Sequence, residues 1–243
     1  MIPKKIHFCW FSGDKYPALI DYCIKSWKKY LPDYEIKLWN FETFPRDKSI
    51  WVRQAVDNKK YAFAADYIRA YALYTEGGIY LDSDVEVLKS FDSLLNRSYF
   101  LGREKHNLVE AAVMGAEKGN QLFGKLLNYY SDREFIKNDG SFDMYTLPKI
   151  MGDIIKDNYS FKDITSLDEF PVSDDEICIF PDSYFSPKSY LTGELNVEKS
   201  TFCIHHFDGG WLNRWEKAYR MVKKFFGAKI ADTISKLIKT IKK

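Results

Sequence analysis

Residues 61–89 read YAFAADYIRAYALYTEGGIYLDSDVEVLK, and this stretch decides the fold. Its first half is helical in character, because Ala62, Ala64, Ala65, Ala70, Ala72 and Leu73 are strong helix formers. Gly77 and Gly78 follow the last turn, where a helix ends in a left-handed residue and glycine adopts that conformation most cheaply. Ile79, Tyr80 and Leu81 form a short apolar run of strand character. The run opens onto Asp82-Ser83-Asp84. Read as extended chain, this segment turns both aspartates to one face. Two carboxylates aimed at one point repel unless a proton or cation lies between them. Mn²⁺ or Mg²⁺, with phosphate oxygens completing the shell, suits such a pair.

Asp66 and Arg69 lie three apart on one face of the preceding helix. They form either a solvated ion pair of little energetic consequence or one wall of the pocket that holds the aspartates. Spacing does not separate the two readings.

The chain before this stretch alternates strand and helix. KKIHFCWF supplies a strand over 6–11, residues 18–30 an amphipathic helix ended by Pro32, and YEIKLW at 34–39 a half-buried strand. Residues 40–60 read as helix and loop. Strand–helix–strand order up to Leu81 predicts βαβ units and a parallel sheet in an α/β fold. Ligands of such sheets lie beyond the carboxyl ends of the strands. Trp10, after the first strand, and Asp82, after the third, therefore share a rim. Trp10 is either a wall of that cleft or a core residue.

Beyond the quoted stretch, a strand is expected over 85–88, a helical turn over 91–95 and a strand over 99–103. The apolar run 109–116 carries Glu110, expected to face solvent at a strand edge, with the cleft as its other possible direction. Residues 121–130 form a helix, and a second lies within 141–157, kinked or restarted at Pro148. Residues 161–196 read as loop-rich.

FCIHHFDGGWLNRW at 202–215 is the next informative run. A neutral imidazole can complete a metal shell begun by carboxylates. Adjacent strand residues point oppositely, so one of His205 and His206 is the candidate ligand. The segment 211–243 then carries ten Lys/Arg against two Asp/Glu, on a chain of net charge +2. Apolar residues recur between the lysines of 216–243, as in a helix packed on the domain or lying on an anionic membrane. No nucleic-acid-binding motif accompanies this charge, and no nucleic-acid partner is expected. Cys9, Cys23, Cys178 and Cys203 lack metal or disulfide spacing and suit a reducing compartment. No leader precedes the first strand and no apolar run spans a bilayer, which predicts a cytoplasmic protein, peripheral at the inner membrane face if the tail binds lipid.

AFAADYIRAYALYTEGGIYLDSDVEVLKSFDSLL resembles the DXD region of the family 32 glycosyltransferases, with helix, glycine pair and aspartates at matching spacing. IHFCWFSG resembles the family's opening strand and HHFDGGW its late element, so the likeness spans most of 1–215. The resemblance implies a GT-A fold over 1–215, a mixed α/β sheet flanked by helices, with 216–243 as an appended basic helix. It implies a retaining transfer of sugar from a nucleoside diphosphate donor, a UDP-sugar being the expected one, to a glycan or lipid-linked acceptor in surface polysaccharide synthesis. By position, Trp10 stacks on the base, Asp66 and Arg69 bind the donor sugar, and Gly78 belongs to the donor-binding pattern. Asp82 contacts ribose and metal, Asp84 binds Mn²⁺ or Mg²⁺, His206 is the late metal ligand and Trp211 lies on the diphosphate. Asp66 and Asp84 are the expected catalytic pair. Gly210 stands where the family commonly has serine, and Ala65 replaces the serine before the helical aspartate. Two competing readings remain. One is a phosphohydrolase with Asp82 as nucleophile, Asp84 as acid/base and Asp174-Asp175 as late acids. The other is a metal-free carbohydrate-binding module.

Overall fold

The computed structural model describes residues 1–104, 108–170, 176–190 and 192–208. Trp211, the tail 216–243, the 215/216 boundary and Asp174-Asp175 lie outside the described residues.

The chain opens with β1 (Lys5–Cys9), α1 (Ala18–Tyr30) and β2 (Glu35–Trp39). Then follow α2 (Ile50–Asp57), α3 (Tyr61–Glu76), β3 (Gly78–Leu81) and β4 (Val85–Val87). β5 (Tyr99–Gly102), β6 (Val113–Ala116), α4 (Gln121–Ser131) and α5 (Leu147–Asn158) form the middle. β7 (Ser160–Asp163), β8 (Glu176–Phe180), α6 (Asp182–Phe185) and β9 (Cys203–His205) complete the described part. Seven strands make one sheet in the order β2-β1-β3-β6-β5-β8-β7. β6 runs antiparallel to both neighbours, and the other pairings are parallel. The expected mixed α/β sheet flanked by helices is therefore found. Pro148 is neither kink nor restart: it sits in the first turn of α5, where its missing N–H costs nothing. The loop-rich reading of 161–196 missed β8, a wholly apolar-faced strand whose partners are far away in sequence.

Alternation along β3 divides the core. Ile79 and Leu81 join α1 and Phe100 on one face, while Tyr80 joins α3, α4 and Met114 on the other. The α3–β3 junction is tight. Gly77 caps the helix at φ 68°, its N–H donating to the Leu73 carbonyl at 3.0 Å. Gly78 follows at φ 110°, and a Cβ there would lie 2.6 Å from the Lys5 carbonyl oxygen. His7 closes the same corner. Its Nε2–H donates to the Gly77 carbonyl at 2.7 Å and its Nδ1 accepts from Trp39 Nε1 at 3.0 Å. That pairing holds the ring neutral, and burial pulls its pKa down to about 4.

Gly78→Ala combines a disfavoured φ with a backbone clash and should cost about 2–4 kcal/mol in urea unfolding. Gly119→Ala, with positive φ but open space around the new Cβ, should cost about 1 kcal/mol. Equal losses would refute the close-approach argument. For His7, the folded state binds fewer protons than the unfolded chain between pH 6.5 and 4. Its stabilising contribution is thus complete above pH 6.5 and drains away through pH 4, by about 3 kcal/mol. The stability gap between wild type and His7→Gln should narrow across that window, as followed by denaturant melts at each pH.

Candidate active site

The topology places three strand ends on one rim. β1 and β3 are parallel, so Trp10 and Asp82 follow their carboxyl ends side by side. β6 is antiparallel with Val113 opposite Leu81, so the residues before it, Glu110 to Ala112, reach the same rim. The Asp82 N–H donates to the Ala112 carbonyl at 2.8 Å and ties the two together.

Asp82 to Val85 is not extended. The Val85 N–H returns to the Asp82 carbonyl at 3.0 Å and closes a turn. The aspartates converge through this turn and through the two-stranded β4–β9 sheet that follows. β4 is held by α1: Trp27 Nε1 donates to the Val85 carbonyl at 2.6 Å, and the Val87 N–H donates to Ser26 Oγ at 2.9 Å. β9 pairs antiparallel to β4 with His205 opposite Val85. Asp84 is oriented by the Asp208 N–H, which donates to its Oδ2 at 2.7 Å. Asp82, Asp84 and His205 each offer one ligand atom, and the three atoms lie within 4.8 Å of one another.

The structure thus brings His205, not His206, to the aspartates. Alternation along β9 turns His205 toward the face of Cys203, Val85 and Val87. His206 turns to the face of Glu86, whose Oε2 it meets through Nε2 at 2.9 Å. Glu86 also accepts from the Tyr22 hydroxyl at 2.7 Å. Expecting the ligand from its distance to Trp211 missed this; Cys203 and Ile204 are both buried, so the choice is set by the pairing of β9 with β4.

Asp66 and Arg69 are buried, and the solvated-pair reading falls. Arg69 Nη2 lies 3.3 Å from Asp66 Oδ1 and 3.2 Å from Asp82 Oδ1. Its Nη1 donates to the Ala111 carbonyl at 2.6 Å, and its guanidinium lies over the Tyr80 ring at 4.6 Å. The Tyr80 hydroxyl donates to Asp82 Oδ1 at 3.0 Å. Burial pushes the Asp66 carboxyl up to about 7 against the pull of Arg69. Burial also raises Asp82, with Arg69 and His205 opposing.

Glu110 is not at a solvent edge. It is 1% exposed, and its Oε1 lies 3.5 Å from His205 Nδ1. The local signal was available: Glu110 stands between Val109 and Ala111-Ala112 with no polar residue beside it. Burial lowers the His205 pKa, but Asp84 and Glu110 outweigh it and raise the imidazole to about 9. Glu104, at the end of β5, is pushed up to about 7 by burial and by the Glu110 charge.

Trp10 is half-buried and lines a cleft of about 380 Å³ with Phe11, Tyr16, Leu38, Asn40 and Phe41. Its Nε1 donates to the Asp14 carbonyl at 3.0 Å, and it meets Tyr16 edge-on at 5.1 Å. Phe11 and Phe41 stack at 5.4 Å. A half-exposed aromatic wall of this kind can hold a planar ring. Gly78 is not brought to the site: it lies at the opposite end of β3 from Asp82, buried against Lys5. The cysteines are free, and burial pushes the Cys9 thiol, behind Arg69, up to about 12.

Residues 17–101 match the family described as the glycosyltransferase sugar-binding region containing a DXD motif. Inositol phosphoceramide mannosyltransferase 3 of Schizosaccharomyces pombe is 34% identical over 126 residues, covering 49% of this chain and 34% of that protein. The mannosyl phosphorylinositol ceramide synthase CSH1 of Saccharomyces cerevisiae is 30% identical over 134 residues, covering 52% of this chain and 35% of that protein. The chain spans about a third of the length of these relatives. Among solved structures, the PaToxG glycosyltransferase aligns at 20% identity and a TM-score of 0.47, over 64% of this chain and 69% of that one.

Arg69→Met should leave Asp66 without a counter-charge and Asp82 with His205 alone, and cost about 3–5 kcal/mol in urea unfolding of the metal-free protein. Adding Asp66→Asn to that variant should recover part of the loss. A single-variant cost below about 1 kcal/mol would show that Arg69 does not neutralise the pair.

Proposed function

We propose that this chain is a metal-dependent glycosyltransferase that moves a hexose from a nucleoside diphosphate sugar to an acceptor hydroxyl with retention. The observation that carries the reading is the convergence of Asp82, Asp84 and His205 at the sheet rim, with ligand atoms within 4.8 Å of one another. Two carboxylates and one imidazole suit a divalent ion such as Mn²⁺ or Mg²⁺. Bound there, such an ion offsets the charge that develops on a departing diphosphate.

The chain's own residues supply the rest. The aromatic cleft beside Trp10 receives the nucleobase. Asp66 accepts from donor-sugar hydroxyls, while Arg69 holds both Asp66 and Asp82 in place. Transfer occurs on the front face of the sugar. The bond from the anomeric carbon to the phosphate oxygen breaks, the bond to the acceptor oxygen forms, and the acceptor proton passes to the leaving phosphate. The mannosyltransferase relatives name mannose as one hexose to test, and their ceramide acceptors speak for a lipid-borne or lipid-linked acceptor. A role in surface polysaccharide assembly at the inner membrane face, with 216–243 on anionic lipid, belongs to the same reading. Among the described residues no helix is long and apolar enough to cross a membrane.

A thermal-shift panel of UDP- and GDP-sugars with Mn²⁺ should single out the donor, since binding to the folded state raises its stability by mass action. Asp84→Asn should abolish the Mn²⁺-dependent part of that shift and the turnover of the same donor, while leaving the melting temperature of the ligand-free protein within a few degrees. Full turnover by Asp84→Asn in excess Mn²⁺ would sink the metal assignment.

A further inference from the structure

Glu110 is accounted for by neither the matched segment nor the donor site. It lies beyond residue 101, and it is almost wholly buried. A buried carboxylate is costly unless its charge is matched. Its Oε1 accepts the Ala112 N–H at 2.7 Å and faces His205 Nδ1 at 3.5 Å. Its Oε2 and His205 Nδ1 are both buried with no hydrogen-bond partner. On the other side of the ring, His205 Nε2 lies 3.6 Å from Asp84 Oδ1. Glu110, the imidazole and Asp84 therefore form a line that runs from the interior to the metal-binding point.

We propose that Glu110 is a positioning residue: it accepts the Nδ1 proton of His205 as a hydrogen bond and so commits Nε2 to the metal. This rests on the assignment of Asp82, Asp84 and His205 as the metal site. The physical reason is that a ligating imidazole must be neutral, with one nitrogen protonated and the other free. Either tautomer is available to an isolated ring. A carboxylate behind Nδ1 selects the tautomer whose lone pair lies on Nε2, fixes the ring plane and raises the basicity of the ligating nitrogen. The β4–β9 pairing fixes the backbone of His205 and Phe207 packs against its ring at 3.9 Å, but neither selects which nitrogen carries the proton. Glu110 itself is anchored by the Ala112 N–H, and Ala112 in turn accepts from the Asp82 N–H at 2.8 Å. The carboxylate behind the histidine and the first aspartate are thus set by one short stretch of backbone.

The test is Mn²⁺ affinity of the nucleotide-free protein, measured by the loss of the free-ion EPR signal, for wild type, His205→Ala, Glu110→Ala, Glu110→Gln and the double variant His205→Ala/Glu110→Ala. Glu110→Ala should weaken Mn²⁺ binding by about 10- to 100-fold. Glu110→Gln, which still offers a carbonyl oxygen to Nδ1–H, should recover much of that loss. In the His205→Ala background, Glu110→Ala should change affinity less than about threefold, because a residue that acts through the ring has nothing left to act on. If Glu110→Ala weakens binding equally with and without His205, Glu110 acts as a distant charge or a fold element and the proposal is overturned. Wild-type affinity in Glu110→Ala, alongside a loss in His205→Ala, overturns the proposal and leaves the metal site standing. Wild-type affinity in His205→Ala overturns both.

Discussion

One guanidinium holds the site together. Arg69 reaches Asp66 on its own helix, Asp82 at the end of β3 and the Ala111 carbonyl ahead of β6. A lysine would supply the charge but not the fork: planar geometry lets one side chain serve two carboxylates and a carbonyl while lying over the Tyr80 ring. Asp66 depends on it most, because burial works against that carboxylate and Arg69 is the only cation beside it among the described residues.

The charges then alternate outward: Asp66, Arg69, Asp82, His205, Asp84. An arrangement of this kind needs a positive charge between the last two carboxylates. In the metal-free protein the imidazolium supplies it, which is why Asp84 and Glu110 raise His205 to about 9 in spite of its burial. A divalent cation and that proton are alternative counter-charges for the same carboxylates, since a ligating imidazole gives up its proton.

Much of this was legible in the sequence, and the parts that were not share a cause. The helix 61–76, the glycine stop and the strand ending at Asp82 follow from local composition, and the structure reproduces them. The sharing of a rim by Trp10 and Asp82 follows from βαβ topology. What failed needed long-range pairing. The apolar neighbours of Glu110 hint at its burial, but its arrival at the rim follows from β6 running antiparallel between β3 and β5, which no local pattern announces. β8 was hidden for the same reason. The choice of His205 over His206 turned on which face of β9 is interior, a fact set by its pairing with β4. Asp82-Ser83-Asp84 was read as extended, yet a turn achieves the same convergence. There the right conclusion stood on the wrong geometry.

The distribution of these failures has a structural meaning. Asp66, Arg69, Asp82 and Asp84 lie within residues 17–101, on α3, β3 and the turn between β3 and β4. Their order along a helix, a glycine corner, a strand and a turn is contiguous, so a motif can carry it, and the Asp208 N–H completes the orientation of Asp84. Glu110 and His205 come from outside that segment, and their placement requires a sheet to close around the aspartates. α1 holds β4 through Trp27 and Ser26, β4 pairs with β9, and β6 pairs with β3. The site is therefore half motif and half fold. A short segment can present two carboxylates to solvent, but it cannot bury a third behind an imidazole aimed at the same point. That second half depends on residues more than a hundred positions apart and exists only in the assembled sheet.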